Sequence, residues 1–160
     1  MRVKTAIIPA AGFGTRMLPA TKAIPKEMLP IGNKPAIQYI VEELSEAGIK
    51  HIIIVTGYHK RAIEDHFDNS FELREWLKKT GKTEELEEID RITNLASFTF
   101  IRQKEGYGNA VPVMAAQHLL DEPFMLLWGD IISDSRRTKR AIEAFKKYNA
   151  PILCATPKRN

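Results

Sequence analysis

Cysteine is almost absent from this 160-residue chain. Cys154 stands alone, which excludes an intramolecular disulfide and a cysteine-rich zinc site. Long apolar runs are missing as well: no stretch approaches the ~20 residues that span a bilayer. Pro9 and the Gly-Phe-Gly-Thr-Arg16 turn interrupt the opening residues before they could form the core of a secretory leader. His51, His59, His66 and His118 form no cluster with a carboxylate at metal-ligand spacing. A dense basic stripe of the kind that tracks nucleic acid is lacking. These absences predict a cytoplasmic protein that binds neither membrane nor nucleic acid.

What is present is an ordinary globular composition, 44% hydrophobic and 28% charged, with a formal net charge of +4. A domain of this size buries roughly 68–70% of its unfolded surface, enough for a core of its own. The charge is uneven. Residues 1–41 carry Arg2, Lys4, Arg16, Lys22, Lys26 and Lys34 against Glu27 alone, a net +5, while the remainder is net −1. The early cations are scattered among Gly, Pro and Thr, a pattern suited to a small anionic ligand.

Short apolar runs at Lys4–Ala10, His51–Thr56, Ser97–Ile101, Phe124–Trp128 and Pro151–Ala155 read as strands. Ile37, Ile40, Val41, Leu44 and Ala47 fall on one face of a helix that Gly48 ends. Ala110–Leu120 and Thr138–Tyr148 read similarly. Alternating strands and helices predict an α/β fold, a Rossmann-like, mostly parallel sheet with helices on both faces. Residues 60–93 read as a helical excursion, with Asn69-Ser70 capping one helix and Thr83 opening another. Trp76, Trp128 and Cys154 are expected to be packing residues.

Residues 10–35 have no sustained period, and Pro19, Pro25, Pro30 and Pro35 punctuate them. So long a loop in a compact domain is uncommon unless it is functional. Ile24, Met28, Leu29 and Ile31 are expected to anchor it. Gly12 and Gly14, following a buried strand, let backbone amides approach a phosphate. The spacing of a P-loop is absent. A dinucleotide fold needs glycine where Met17 stands and a helix there, which Pro19 and Pro25 oppose. That second reading is weakened, not excluded; a third, a nucleotidyl-transfer loop that sets Arg16 and Lys26 on a nucleoside triphosphate, gains when Gly-x-Gly-Thr-Arg16, Leu18-Pro19 and Pro25-Lys26 are taken together.

The segment from Ala10-Ala-Gly-Phe-Gly-Thr-Arg16 through Pro25-Lys-Glu-Met-Leu-Pro-Ile31 resembles the signature of the sugar-1-phosphate nucleotidyltransferases. Lys60-Arg-Ala-Ile-Glu-Asp-His-Phe-Asp68, Ser70-Phe-Glu-Leu73 and Arg102-Gln-Lys-Glu105 are similar to the uridylyl-transferring branch of that family. The resemblance implies transfer of UMP from UTP to glucose 1-phosphate, with pyrophosphate released and Mg2+ as cofactor. It implies that Ala10, Ala11 and Gly12 border the uracil and ribose. Gly14, Thr15 and Arg16 would hold the triphosphate, and Lys26 the α-phosphate. Glu27 falls among the nucleotide-binding positions. Gln103 would bond the uracil edge, with Gly106 or Gly108 packed under the base, and Asp130 would ligate Mg2+.

Three features depart from the family. Glu105 is followed at once by Gly106-Tyr107-Gly108, where the family has a longer stretch after the Gln, so either glycine can be the one under the base. Gly129-Asp130-Ile131 stands where the uridylyl branch shows Gly-Asp-Asp, and family members are considerably longer. The chain is therefore expected to be one nucleotide-binding α/β domain over 1–160, with the sugar-binding C-terminal half outside it. A homo-oligomer is expected of the full-length enzyme. Another nucleotide such as dTTP, or a catalytically silent binding module, are the rival readings.

Overall fold

The computed structural model describes residues 3–104, 106, 108–132 and 136–155. Four strands, β1 (Thr5–Ala10), β4 (His51–Thr56), β5 (Ser97–Arg102) and β6 (Phe124–Leu126), form one sheet in the order β5-β4-β1-β6. Every pairing in it is parallel. A small antiparallel ribbon, β2 (Pro30–Ile31) with β3 (Lys34–Pro35), closes the long loop after β1.

The strands are apolar along their length because both faces of the sheet are covered. Ala6 and Ile8 of β1, with Ile52 and Ile54 of β4, face one core. Over it lie α1 (Ala36–Glu46), α2 (Arg61–Phe67) and α6 (Arg137–Tyr148), through Ile37, Ile40, Leu44, Ile63, Phe67 and Ile142. Ile7, Ile53 and Val55 face the other way, against Val113, Ala115 and Ala116 of α5 (Val111–Ala116). The excursion holds α2, α3 (Phe71–Lys79) and α4 (Thr83–Thr93), with Arg74 and Asp90 forming an ion pair between the last two. No helix among the described residues is long and apolar enough to cross a membrane.

The strand order fixes where a ligand can enter. From β1 the chain moves outward to β4 and β5, then returns to the opposite side of β1 as β6. Loops leaving β1 and β6 therefore diverge, opening a crevice at the carboxyl ends of these two strands.

Some expectations fail. Pro151–Ala155 forms no strand and is exposed. Its composition suits a pleated, half-buried surface, but no ladder partner meets it among the described residues. Cys154 is accordingly exposed rather than packed. Trp76 is half exposed, and of the four loop anchors Ile24 and Ile31 are about half exposed, while Met28 packs against the core. β6 ends at Leu126, although Leu127 N–H still donates to the Ile7 carbonyl at 3.1 Å, and Trp128 then begins a turn in which Ile131 N–H donates to the Trp128 carbonyl at 3.3 Å. Glu105, which ends the Arg102–Glu105 motif, lies outside the described residues.

Candidate functional site

The loop after β1 folds back on itself. Gly14 sits at φ 70°, a left-handed conformation that an L side chain adopts only with strain. Buried Thr21 donates through Oγ1 to the Gly14 carbonyl at 2.8 Å. A Cβ on Gly14 would lie 3.2 Å from both Lys26 Cβ and Thr21 Cγ2, so the turn closes only around glycine. This closure carries Lys26 over the glycine turn, where a Cβ on Gly12 would meet Lys26 Nζ at 3.9 Å. Thr15 and Arg16 occupy an exposed 3₁₀ turn, and Arg16 makes no ion pair among the described residues.

Across the crevice stands Asp130. Lys26 Nζ donates to Asp130 Oδ2 at 2.6 Å. Both side chains keep access to solvent, so the pair is open to an incoming anion or metal. Among the described residues no three His, Cys, Asp or Glu side chains group as a metal site. Asp130 is a single accessible carboxylate, which suits a hard cation that takes its other ligands from phosphate oxygens and water.

Beneath this pair lies a second one. Glu27, expected among the nucleotide-binding positions, is instead fully buried and turned away from the crevice, where its Oε2 accepts from Lys60 Nζ at 2.8 Å. Burial pushes the Glu27 carboxyl above its ordinary value, and the Lys60 ammonium opposes that shift. Glu27 Oε1 has no hydrogen-bond partner among the described residues. Gly129 fits closely against this layer, since a Cβ there would lie a tight 3.2 Å from Glu27 Cγ and from Ile8 Cγ2.

The other end of the edge belongs to Gln103. Its backbone N–H continues the sheet by donating to the Thr56 carbonyl at 2.8 Å. Its side-chain Nε2 donates to the Gly106 carbonyl at 2.7 Å. Gly106 and Gly108 are both exposed, ahead of α5. Between Gln103 and the glycine turn, Gly57 abuts the loop: a Cβ there would lie 2.9 Å from the Ala11 carbonyl oxygen. Ala10 is buried at the end of β1 and Ala11 half-buried, so the backbone at these positions is what borders the crevice.

The sheet thus sets Gln103, Gly57, Gly12 and Asp130 in a row across four strand ends. At about 4.8 Å per strand the row spans roughly 14 Å. One end offers amide hydrogen bonding, the other cations and a carboxylate. Thr21, Gly57, Lys60 and Gly129 escaped the sequence reading. Lys60 sits inside the Lys60–Asp68 motif, which was its one signal, but an isolated lysine is a solvated charge by default. The remaining three have ordinary turn or strand-end chemistry until their distant neighbours are known.

Comparison with known proteins places the chain among relatives of one family. The chain is 56% identical over 156 residues to UTP--glucose-1-phosphate uridylyltransferase 2 of Staphylococcus saprophyticus, covering 95% of this chain and 54% of that protein. It is 51% identical over 155 residues to UTP--glucose-1-phosphate uridylyltransferase YngB of Bacillus subtilis, covering 95% and 52%. A UTP-bound UGPase of Acinetobacter baumannii superposes with a TM-score of 0.85 at 37% identity, over 92% of this chain and 54% of that one. The chain spans about half the length of the curated relatives it matches. Residues 5–160 match the family described as Nucleotidyl transferase, and the chain belongs to that family.

Proposed function

We propose that this chain binds UTP in the crevice above β1 and β6 and serves the transfer of UMP to glucose 1-phosphate. The observation that carries the reading is the meeting of Lys26 and Asp130 at the switch point of a parallel sheet, 2.6 Å apart and open to solvent. Relatives more than half identical to this chain are UTP--glucose-1-phosphate uridylyltransferases, which supports the choice of substrates.

A sugar-phosphate oxygen attacks the α-phosphorus of UTP in line. The new oxygen–phosphorus bond forms as the bond to the β-phosphate oxygen breaks, and pyrophosphate leaves with the electron pair. Such transfers depend on alignment and charge neutralisation rather than on a covalent enzyme intermediate. Lys26 supplies a point charge at the α-phosphate, and Arg16 offers a planar fork to the departing β- and γ-phosphates. Gly14 and Thr15 hold the triphosphate chain. Ala10, Ala11 and Gly12 border the ribose and base, which rests on Gly106 or Gly108. Gln103 Oε1 accepts from the imide N–H of the uracil.

Asp130 would hold Mg2+, which when bound neutralises charge on the phosphate oxygens. Cytoplasmic location and homo-oligomeric assembly belong to the same reading. Uracil and thymine share the imide N–H that Gln103 meets, so the nucleotide panel must include dTTP. Pyrophosphate release on mixing the chain with Mg2+, glucose 1-phosphate and UTP is the expected outcome. Release with dTTP and not UTP moves the reading to the thymidylyl branch, and binding without release marks a silent module.

A further inference from the structure

We propose that the buried Glu27–Lys60 ion pair is a positioning device that sets the separation of Lys26 and Asp130 across the crevice. The geometric part stands on the structure alone; its consequence for turnover rests on the function proposed above.

Three segments meet at Glu27. Its backbone lies in the 3₁₀ turn Lys26–Met28, held by Met28 N–H donating to the Pro25 carbonyl at 2.8 Å. Its carboxylate is held by Lys60, which stands at the start of α2 behind β4. Its Cγ fills the space beside Gly129, which follows β6, since a Cβ on that glycine would lie 3.2 Å from it. Within that turn the two neighbours point oppositely: Lys26 reaches up to Asp130, and Glu27 reaches down into the protein. Each member of the exposed pair is therefore one residue from a group in the buried layer, Lys26 from Glu27 and Asp130 from Gly129. A shift of Glu27 must move both loops.

Stability is a poor explanation for this arrangement. Buried ion pairs are often no better than apolar side chains of the same volume, because desolvation offsets their attraction. What an apolar pair lacks is direction. One bond to Lys60 orients a carboxylate whose other oxygen, Oε1, has no hydrogen-bond partner among the described residues. That bond ties the β1 loop to the β4–α2 junction 33 residues away, and the glycine contact ties it to the β6 loop. Glu27 and Lys60 are thus positioning residues that do not touch the nucleotide.

The test compares Glu27→Leu/Lys60→Met with the parent chain by crystallography, thermal unfolding and pyrophosphate release. The double variant is expected to melt close to the parent. Its Lys26–Asp130 pair should nonetheless open beyond ~4 Å, the ion-pair limit. Misplacement of a reacting group by about 1 Å can cost about 100-fold, so kcat should fall by that order. KM for UTP should change by no more than about twofold, as for a loss confined to the transition state. A double variant that keeps the parental pair geometry and kcat overturns the proposal, because packing alone would then suffice.

Glu27→Gln keeps shape and the hydrogen bond and guards against a double variant that does not fold. It should retain the Lys26–Asp130 contact and kcat within about threefold. Loss of the contact in Glu27→Gln overturns the proposal too, since charge and not position would be the cause. If the parent itself releases no pyrophosphate, the functional reading fails while the pair geometry in the variants still decides this one.

Discussion

Lys26 Nζ and Asp130 Oδ2 meet at 2.6 Å although 104 residues separate them, directly above the ends of two paired strands, β1 and β6. The ammonium retains 22% and the carboxylate 37% of side-chain exposure. Exposed pairs of this kind stabilise a fold by only about 0–1 kcal/mol. Their proximity is better explained by what they can do to a bound polyphosphate.

Lys26→Ala separates chemistry from stability. Removing one preorganised charge-stabilising group typically costs about 10²–10³ in kcat, and that loss is expected here with a much smaller change in UTP affinity. Asp130→Asn should leave the melting temperature of the free chain nearly unchanged. UTP at a hundred times its Kd adds about 2.7 kcal/mol to stability. In Asp130→Asn, Mg2+ should no longer augment the UTP shift. Pyrophosphate release measures the loss in Lys26→Ala, and a thermal-shift series with and without Mg2+ checks UTP binding in both variants.

Gly57→Ala probes the contact between neighbouring loops. The added carbon would lie 2.9 Å from a backbone oxygen of Ala11, which cannot rotate away as a side chain can. Overpacking of this kind costs about 1–3 kcal/mol. Urea unfolding should register that loss, and UTP titration should show weakened affinity, since Ala11 borders the crevice.

Glu43 joins α1 to α6. Its Oε1 accepts from Thr138 N–H at 3.0 Å and from Thr138 Oγ1 at 2.6 Å, and its Oε2 accepts from Arg137 at 3.3 Å. Glu43→Ala leaves buried donors at the start of α6 unsatisfied, at a cost of about 1–3 kcal/mol. Hydrogen exchange should accelerate in α6 well before it does in β1 and β4. Uniform acceleration across the chain would contradict this local role.

Acid should weaken the chain in two separate windows. Burial holds the His66 imidazole below its ordinary value of 6.5. Just below that value the unfolded chain binds the more protons, so stability falls as pH drops through 6.5 toward the folded value. Above 6.5 this contribution is fully present. His66→Gln should flatten the melting-temperature profile in that window. Glu42 behaves differently: burial alone would raise its carboxyl, but hydrogen bonds from Arg91, Gln38 and Lys34 hold it below 4.5. Its contribution is lost only as pH falls below that ordinary value. Melting curves from neutral to acid pH resolve the two.

The architecture was legible because its signals are local. Ile52, Ile53, Ile54 and Val55 can satisfy a strand covered on both faces, and the face of Ile37, Ile40, Val41 and Leu44 requires a helix against that core. The irregular, proline-rich stretch from Ala10 to Pro35 marks the loop as exceptional from composition and spacing alone. Pairings across long separations were not legible. Glu27 is a charged residue in a polar loop, and its burial depends on Lys60, 33 residues away. The residues of Pro151–Ala155 have the composition of a strand, but composition does not supply a neighbouring ladder.

The crevice above β1 and β6 as a nucleoside triphosphate site is the central claim, and calorimetric titration of the chain with UTP in Mg2+ tests it most directly. Saturable binding to the parent, retained but weaker in Arg16→Ala and insensitive to Mg2+ in Asp130→Asn, is the predicted result. Equal binding by all three chains, or none by the parent, would contradict it.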